Sequence, residues 1–222
     1  MINNVKEILK CVYSFSDAYV TGYRFHDNLG DVFVNCNIGD YKYQLFVLVR
    51  PDSFELKYPG GMTDRCMYKN LSDTFKVAIE SCKPEYYDDE LFARKDIDEK
   101  SIMDSIDAAS FILPVFKKYT SKTIGISFDG ETLNEISISI PRTSSCVDFD
   151  GLFSTSNPNN AWFWYSVDTN MMYHSLNNNR KCPHYTVDVK NNFKSCEDLL
   201  IKRFGFDKKV EQARYRQDIR EF

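Results

Sequence analysis

The chain has 222 residues, of which 43% are hydrophobic, 27% charged and 15% aromatic, and its formal net charge is −4. This composition excludes a disordered, fibrous or linker-rich chain, because 17 Phe, 14 Tyr and 2 Trp can bury a sizeable core. No apolar run approaches the roughly 20 residues that span a bilayer. The charged N-terminus also lacks the hydrophobic stretch of a secretory signal, so we expect a soluble protein with no membrane partner.

The first half of the chain predicts a helix, four strands and a second helix. Apolar residues at helical spacing predict the first helix over residues 4–15 and the second over residues 70–82. Alternating or continuous apolar runs, separated by turn-forming Asp, Asn, Gly and Pro residues, predict the strands between them. These strand candidates lie at residues 19–26, 31–38, 41–50 and 53–58.

Residues 83–100 are strongly acidic and predict the connection between the two halves of the chain. Ser101 and Asp104 have the spacing of a capping box, and an apolar stripe predicts a helix from there to residue 116. Pro114 lies inside this stripe. We expect it to kink or end the helix, because proline removes a backbone hydrogen-bond donor.

The rest of the chain predicts a hairpin, further strands and two helices. The sequence Asp-Gly-Glu at residues 129–131 separates two alternating segments, which is typical of a β-hairpin. The strand candidates lie at residues 123–128, 133–140, 145–149, 161–167 and 185–190. The helix candidates lie at residues 195–204 and 207–222.

Strands in hairpin-linked blocks, bounded by helices, predict an α+β fold of antiparallel β-sheets flanked by about five helices. Both halves read as helix, strands, helix, and residues 19–25 resemble residues 123–128, which suggests two similar α–β4–α units. We therefore expect an N-terminal α+β half at residues 1–90 and a C-terminal α+β half with a basic tail at residues 91–222. One compact domain is the alternative.

The common catalytic and cofactor-binding signatures do not occur in the sequence, so we expect no cofactor and no metal. Glycine-rich phosphate loops, G-x-S-x-G and H-E-x-x-H are all missing. The cysteines and the three histidines also lack the paired spacing of zinc ligands. These observations favour a protein that is not an enzyme.

Two arrangements would still support an enzyme. Cys146 or Cys182 could act as a nucleophile with His184 as its base. Asp148 and Asp150 share one face of a strand candidate and could hold Mg²⁺. The competing interpretation is that the thiols are small core residues and the carboxylates face solvent on an edge strand.

The seven cysteines indicate a reducing compartment. They are odd in number, widely spread and without a C-x-x-C pair. A secreted domain would leave one thiol unpaired, whereas all seven can remain free in the cytoplasm. We therefore expect a cytoplasmic protein.

Charge is unevenly distributed along the chain, and the acidic part predicts a protein-binding surface. The segment from Glu85 to Asp107 has 9 acidic and 3 basic residues. Such a patch can steer association with a basic partner or mimic the charge of a nucleic acid, although an ordinary solvated surface has the same pattern. The residues predicted to bind a protein are Asp88, Asp89, Glu90, Asp96 and Asp98.

The last third of the chain interleaves aromatic and basic residues, which predicts a single-stranded nucleic-acid site. Residues 180–222 hold 11 Lys/Arg against 7 Asp/Glu. Exposed aromatic rings can stack on unpaired bases while cations neutralise phosphates. The competing interpretation of residues 162–165 is a strand buried on both faces. The residues predicted to bind nucleic acid are Trp162, Trp164, Lys181, Arg203, Arg214 and Arg216.

Together these features favour a non-enzymatic protein that associates stoichiometrically with a macromolecular partner. A protein partner ranks ahead of single-stranded nucleic acid, and an enzyme with a Cys/His or Asp/Mg²⁺ site ranks last. The heavy use of Asn, Lys, Tyr, Phe and Ile is typical of an AT-rich genome. It suggests a phage or mobile-element effector, such as an inhibitor of a host system. The sequence leaves the oligomeric state open.

Overall fold

The computed structural model of the chain describes residues 1–58, 61–81, 95–119, 123–130, 135–141, 160–169, 171–175 and 185–188. The chain divides into two compact units. Unit 1 comprises residues 1–107 and 126–134, and unit 2 comprises residues 108–125 and 135–222. Within the described residues lie three α-helices, which are α1 (Ile2–Val12), α2 (Leu71–Ser81) and α3 (Glu99–Tyr119).

Unit 1 is built on an antiparallel meander. The strands are β1 (Ala18–His26), β2 (Leu29–Ile38), β3 (Tyr41–Val49), β4 (Ser53–Tyr58), β5 (Gly61–Met62), β6 (Cys66–Met67) and β7 (Gly125–Asp129). Strands β1 to β5 follow one another as hairpins, so that neighbours in sequence are neighbours in the sheet. Strand β7 lies beside β1, and β6 also pairs with β4.

The two faces of this sheet differ because side chains alternate along a strand. One face is apolar: Val32 and Val34 of β2 lie opposite Val47 and Leu45 of β3. Helix α1 covers this face with a stripe of four fully buried residues, spaced as the amphipathic pattern predicts. These are Val5, Ile8, Leu9 and Val12.

An irregularity in β1 connects the sheet to two other segments. The register of β1 against β2 shifts between Val20 and Gly22, as in a β-bulge. The backbone carbonyls of Val20 and Thr21 are thereby directed away from β2. The first accepts a hydrogen bond from the N–H of Ile97 (2.9 Å) and the second from the N–H of Gly130 (3.2 Å).

Unit 2 has its own antiparallel strands. They are β8 (Glu135–Pro141), β9 (Asn160–Ser166), β10 (Met171–Ser175) and β11 (Tyr185–Asp188), paired in that order. Phe116 of α3 packs edge-to-face on Phe163 of β9, with 5.2 Å between ring centroids. This aromatic pair helps to form the core of unit 2.

The structure confirms the predicted α+β class with antiparallel strands and corrects several details. The expectation of about five helices is not supported, since the described residues contain three. The further helix candidates at 195–204 and 207–222, and the strand candidate at 145–149, lie outside the described residues. Helix α3 does not end at Pro114 but continues to Tyr119.

The division into halves at residues 1–90 and 91–222 stays a prediction, because residues 82–94 lie outside the described part of the chain. Strand β10 was not predicted from the sequence, nor were the two-residue strands β5 and β6. These strands are short or lack an alternating pattern, and their pairing with a longer neighbour determines them.

Replacing Gly22 with Ala is expected to destabilise the protein by about 1–3 kcal/mol, the usual cost of inserting a methyl group into a packed site. A Cβ at this position would lie 2.7 Å from the backbone carbonyl oxygen of Phe128 in β7, which cannot move without disturbing the strand. The matched control is Gly39→Ala in the β2–β3 turn. There a Cβ meets no atom within 4 Å, but φ is +61°, so only a strain of about 1 kcal/mol applies. Urea denaturation measures both, and equal stabilities for the two variants would contradict the prediction.

Candidate binding surface

The face of the unit 1 sheet opposite its helices carries a mixture of polar, aromatic and methionine side chains; we call it the outer face. Residues directly opposite each other in neighbouring strands share a face, so the strand registers define this surface. Its residues include Arg24, Asp31, Phe33, Asn35, Lys42, Gln44, Phe46, Leu48, Glu55, Lys57, Met62 and Met67.

The centre of the outer face is an ion pair beside two aromatic residues that pack against each other. Arg24 Nε donates to Asp31 Oδ2 at 2.7 Å, and the Asp31 carboxylate is almost completely buried. The Arg24 guanidinium also lies 5.5 Å from the ring centroid of Phe33. Phe33 in turn packs edge-to-face on Phe46 of β3, with 5.4 Å between centroids. The sheet thus already holds one guanidinium between a carboxylate and an aromatic ring.

A second charged cluster lies on the neighbouring row of the sheet. Asp96 accepts hydrogen bonds from Asn35 Nδ2 (2.7 Å) and from Lys42 Nζ (2.9 Å). The side chains of Asp96 and Lys42 are each about one-third exposed, whereas Asn35 is fully buried. Gln44 lies directly opposite Asn35 and is also buried.

The position of Asp96 is determined by its neighbour Ile97. The Ile97 side chain is buried, and its N–H bonds to the carbonyl of Val20 in β1. Its own carbonyl accepts a 2.6 Å hydrogen bond from the hydroxyl of Tyr13. Burial raises the pKa of the Tyr13 hydroxyl, so this donor stays protonated across the neutral pH range. The predicted protein-binding residue Asp96 is therefore held in place by contacts within unit 1.

Asp98, also predicted to bind a protein, caps helix α3. Its carboxylate accepts hydrogen bonds from the Ser101 hydroxyl (2.6 Å) and from the Ser101 backbone N–H (2.9 Å). These two bonds lower the pKa of the Asp98 carboxyl. The predicted capping box at Ser101–Asp104 was wrong in position, since the cap lies three residues earlier.

The remaining predicted protein-binding residues, Asp88, Asp89 and Glu90, lie outside the described residues. Asp96 and Asp98 are thus the two predicted residues that the structure describes. Each of their carboxylates accepts a hydrogen bond from another residue of unit 1. Reversing either charge would remove a structural contact as well as a surface charge.

Two exposed methionines border the outer face at the edge of β4. Met62 lies opposite Lys57 and Met67 opposite Ser53, and the two methionines are 53% and 52% exposed. Thr63 lies between the two short strands and holds them on β4. Its backbone N–H donates to the carbonyl of Leu56, and its hydroxyl oxygen accepts from the N–H of Leu56. Phe46 and Leu48 of β3, on the same face, are partly exposed. We call the surface formed by Phe46, Leu48, Lys57, Met62 and Met67 the methionine patch.

The predicted nucleic-acid site is only partly described. Trp164 of β9 is 3% exposed, and its neighbours Phe163 and Tyr165 are fully buried. Three consecutive buried residues mean that β9 is covered on both faces, so Trp164 does not present its ring to a base. For Trp162 the structure describes the backbone in β9 and nothing of its side chain. The other predicted residues, Lys181, Arg203, Arg214 and Arg216, lie outside the described residues.

The residues of the enzyme hypotheses, Cys146, Cys182, His184, Asp148 and Asp150, also lie outside the described part of the chain. Within the described part there is no group of three or more His, Cys, Asp or Glu residues that could hold a metal ion. No helix of the described residues is long and apolar enough to cross a membrane. No protein-family model, curated protein or solved structure matches this chain.

Replacing Asp98 with Ala is expected to cost about 1 kcal/mol of stability at neutral pH, the usual value of a helix N-cap. The folded-state pKa of Asp98 is depressed, so the ionised group contributes stability above its unfolded pKa. That contribution is lost as pH falls through the folded pKa. The stability difference between wild type and Asp98→Ala should therefore shrink in acid. Asp98→Asn is the control, because an amide caps without titrating. Urea denaturation as a function of pH measures all three, and a pH-independent difference for Asp98→Ala would contradict the role of the ionised carboxylate.

Proposed function

We propose that this chain is a non-enzymatic binding protein that associates stoichiometrically with a protein partner, and that the partner binds on the outer face of unit 1. The methionine patch is the observation that carries the proposal. Two of the five large hydrophobic side chains exposed on the described residues are Met62 and Met67. Both lie on one face and at one edge of the sheet.

The chemistry of the methionine patch suits a protein surface. Methionine is unbranched and polarisable, so it adapts to apolar partners of different shape. Phe46 and Leu48 are partly exposed and lie across β4 from the methionines, with Lys57 between Phe46 and Met62. A surface in which apolar side chains alternate with polar ones is typical of a non-obligate protein interface.

The charge pairing of the outer face supports a protein partner ahead of a nucleic acid. Binding to phosphates depends on Lys and Arg side chains that neutralise the phosphates and release the counterions condensed on the nucleic acid. Arg24, Lys42 and Arg50 each form an ion pair with a carboxylate of the same face or of the adjacent segment. Their positive charge is therefore largely neutralised within the protein, which disfavours a polyanion.

As part of this proposal, the protein acts as a phage or mobile-element effector that inhibits a host system. An inhibitor of a host system acts by occupying a surface of its target, which requires a binding face and no catalytic group. The overall net charge of −4 favours approach to a basic surface on such a target.

The double variant Met62→Asp/Met67→Asp is expected to weaken partner binding by about 10-fold or more, because charges replace the apolar centre of the interface. Both side chains are more than half exposed, so stability should stay within about 0.5 kcal/mol of wild type. Peptides selected on the wild-type protein from a displayed random library serve as the partner. Their affinity and stoichiometry are then measured by calorimetry.

The matched control for this prediction is Val77→Asp. Val77 lies on helix α2 and is 60% exposed, so the variant adds one negative charge, half the change of the double variant, to an exposed apolar position away from the outer face. Peptides that bind wild type and Val77→Asp equally, and the double variant weakly, would support the proposal. Equal affinity for all three proteins would refute the assignment of the methionine patch as the binding surface.

A further inference from the structure

The side-chain carbonyl of Asn35 is a buried acceptor on the outer face. Asn35 is fully buried, and its Oδ1 atom has no hydrogen-bond partner among the described residues. The orientation of the amide is determined by its neighbour, because the carboxylate of Asp96 can only accept and must therefore face the Nδ2 group. The Oδ1 atom consequently points elsewhere as an unsatisfied acceptor.

A buried acceptor without a donor is costly, so this position calls for a group that donates hydrogen bonds. The surrounding side chains supply further acceptors. Asp96 offers a carboxylate on one side, and Gln44 lies directly opposite Asn35 in β3. The amide of Gln44 makes no side-chain hydrogen bond within the described residues, so its oxygen is a further acceptor beside Asn35. Asp96 and Gln44 thus both adjoin Asn35 on the outer face.

The cation that contacts this cluster is Lys42, which bonds to the second oxygen of Asp96 at 2.9 Å. Lys42 is about one-third exposed and has a long flexible stem. An exposed pair between a lysine and a carboxylate contributes little to stability, so its displacement costs little. A lysine is also a single point charge, whereas a guanidinium has five donors in a planar fork and no acceptor.

We propose that Asn35, Gln44 and Asp96 form a subsite for the guanidinium group of an arginine on a basic protein partner, with Lys42 as an internal placeholder that the arginine displaces. The arginine donates to the Asp96 carboxylate and to Asn35 Oδ1 together, which the lysine does not do. Its stem then passes over Phe46, the next residue of β3 on this face after Gln44.

The outer face provides an internal precedent for this mode of recognition. Two rows away, the Arg24 guanidinium contacts both the Asp31 carboxylate and the Phe33 ring. The proposed subsite repeats that combination, with Asp96 as the carboxylate and Phe46 as the ring. The inference rests on the proposed binding function and specifies the chemistry of the partner.

A tripeptide tests the subsite without knowledge of the partner. Acetyl-Gly-Arg-Gly-amide is titrated into the full chain, and the side-chain amide signals of Asn35 and Gln44 are followed by NMR. The control probe replaces arginine with citrulline, which has the same shape but no charge. We expect saturable shifts of both signals with the arginine peptide and none with the citrulline peptide. Absence of shifts with the arginine peptide, or equal shifts with both, would overturn the proposal.

Two variants isolate the role of Lys42. Lys42→Met should tighten binding of the arginine peptide about 2- to 5-fold, the range that corresponds to loss of an exposed competing ion pair. Lys57→Met removes one positive charge from the same face, where no ion pair of Lys57 exists within the described residues, and should have a smaller effect. Equal tightening in both would show a general charge effect and overturn the placeholder role. Asp96→Asn should abolish the response while keeping an acceptor for Asn35 Nδ2.

These outcomes are independent of the methionine patch. If the arginine peptide binds but Met62→Asp/Met67→Asp has no effect on selected peptides, the subsite stands and the patch does not. If selected peptides depend on the methionines but the tripeptide causes no shift, the proposed function stands and the arginine subsite does not.

Discussion

The irregularity in β1 is the constraint on which the arrangement of unit 1 depends. A regular strand would direct the carbonyls of Val20 and Thr21 into the ladder with its neighbours. The shift at Gly22 instead directs one of them to Ile97 and the other to Gly130. The backbone bond to Ile97 then determines the positions of the residues on either side. Asp96 is brought to the outer face, and Asp98 is brought to the first turn of α3, where it caps the helix.

The buried polar groups of the outer face are tolerated because most of them are paired. A buried amide or carboxylate destabilises a fold by about 1–3 kcal/mol when it lacks a partner. Asp31 has Arg24, and Asn35 has one bond to Asp96. The side-chain carbonyl of Asn35 makes no bond within the described residues. An unsatisfied buried acceptor calls for an explanation, and the proposed arginine subsite supplies one.

The sequence predicted the longer strands and helices of unit 1 well, but it did not predict how the short strands pair. Alternating and continuous apolar runs, bounded by turn-forming residues, predicted β1 to β4 within two residues at each end. The same patterns could not predict β5 and β6, which are two residues long and exist only because β4 offers an edge. Nor could they predict that α3 continues past Pro114, since packing on both sides of a proline can outweigh one missing hydrogen bond.

The candidate site was harder to predict than the fold, for a physical reason. Sequence reasoning selected Asp96 and Asp98 as free acidic charges because nearby residues are acidic too. Their partners Asn35 and Lys42 lie more than 50 residues away and become neighbours only in the sheet. The available signal was the presence of the amides Asn35 and Gln44 within strands that are mostly apolar.

Charge pairing also limits what kind of partner the outer face can accept. Arg24, Arg50 and Lys42 are opposed by Asp31, Glu55 and Asp96, so the face has little net field with which to attract a distant polyanion. Recognition must then come from short-range contacts: apolar area at the methionines and directed hydrogen bonds at the amides. Such contacts are geometrically demanding, and they discriminate between partners through unpaired groups as well as through attraction. The side-chain carbonyl of Asn35 is already buried and unsatisfied in the free protein, so a partner that donates to it removes an existing penalty. Selectivity for a donor-rich cation over a neutral side chain therefore follows from the relief of that penalty, which a side chain without donors does not provide.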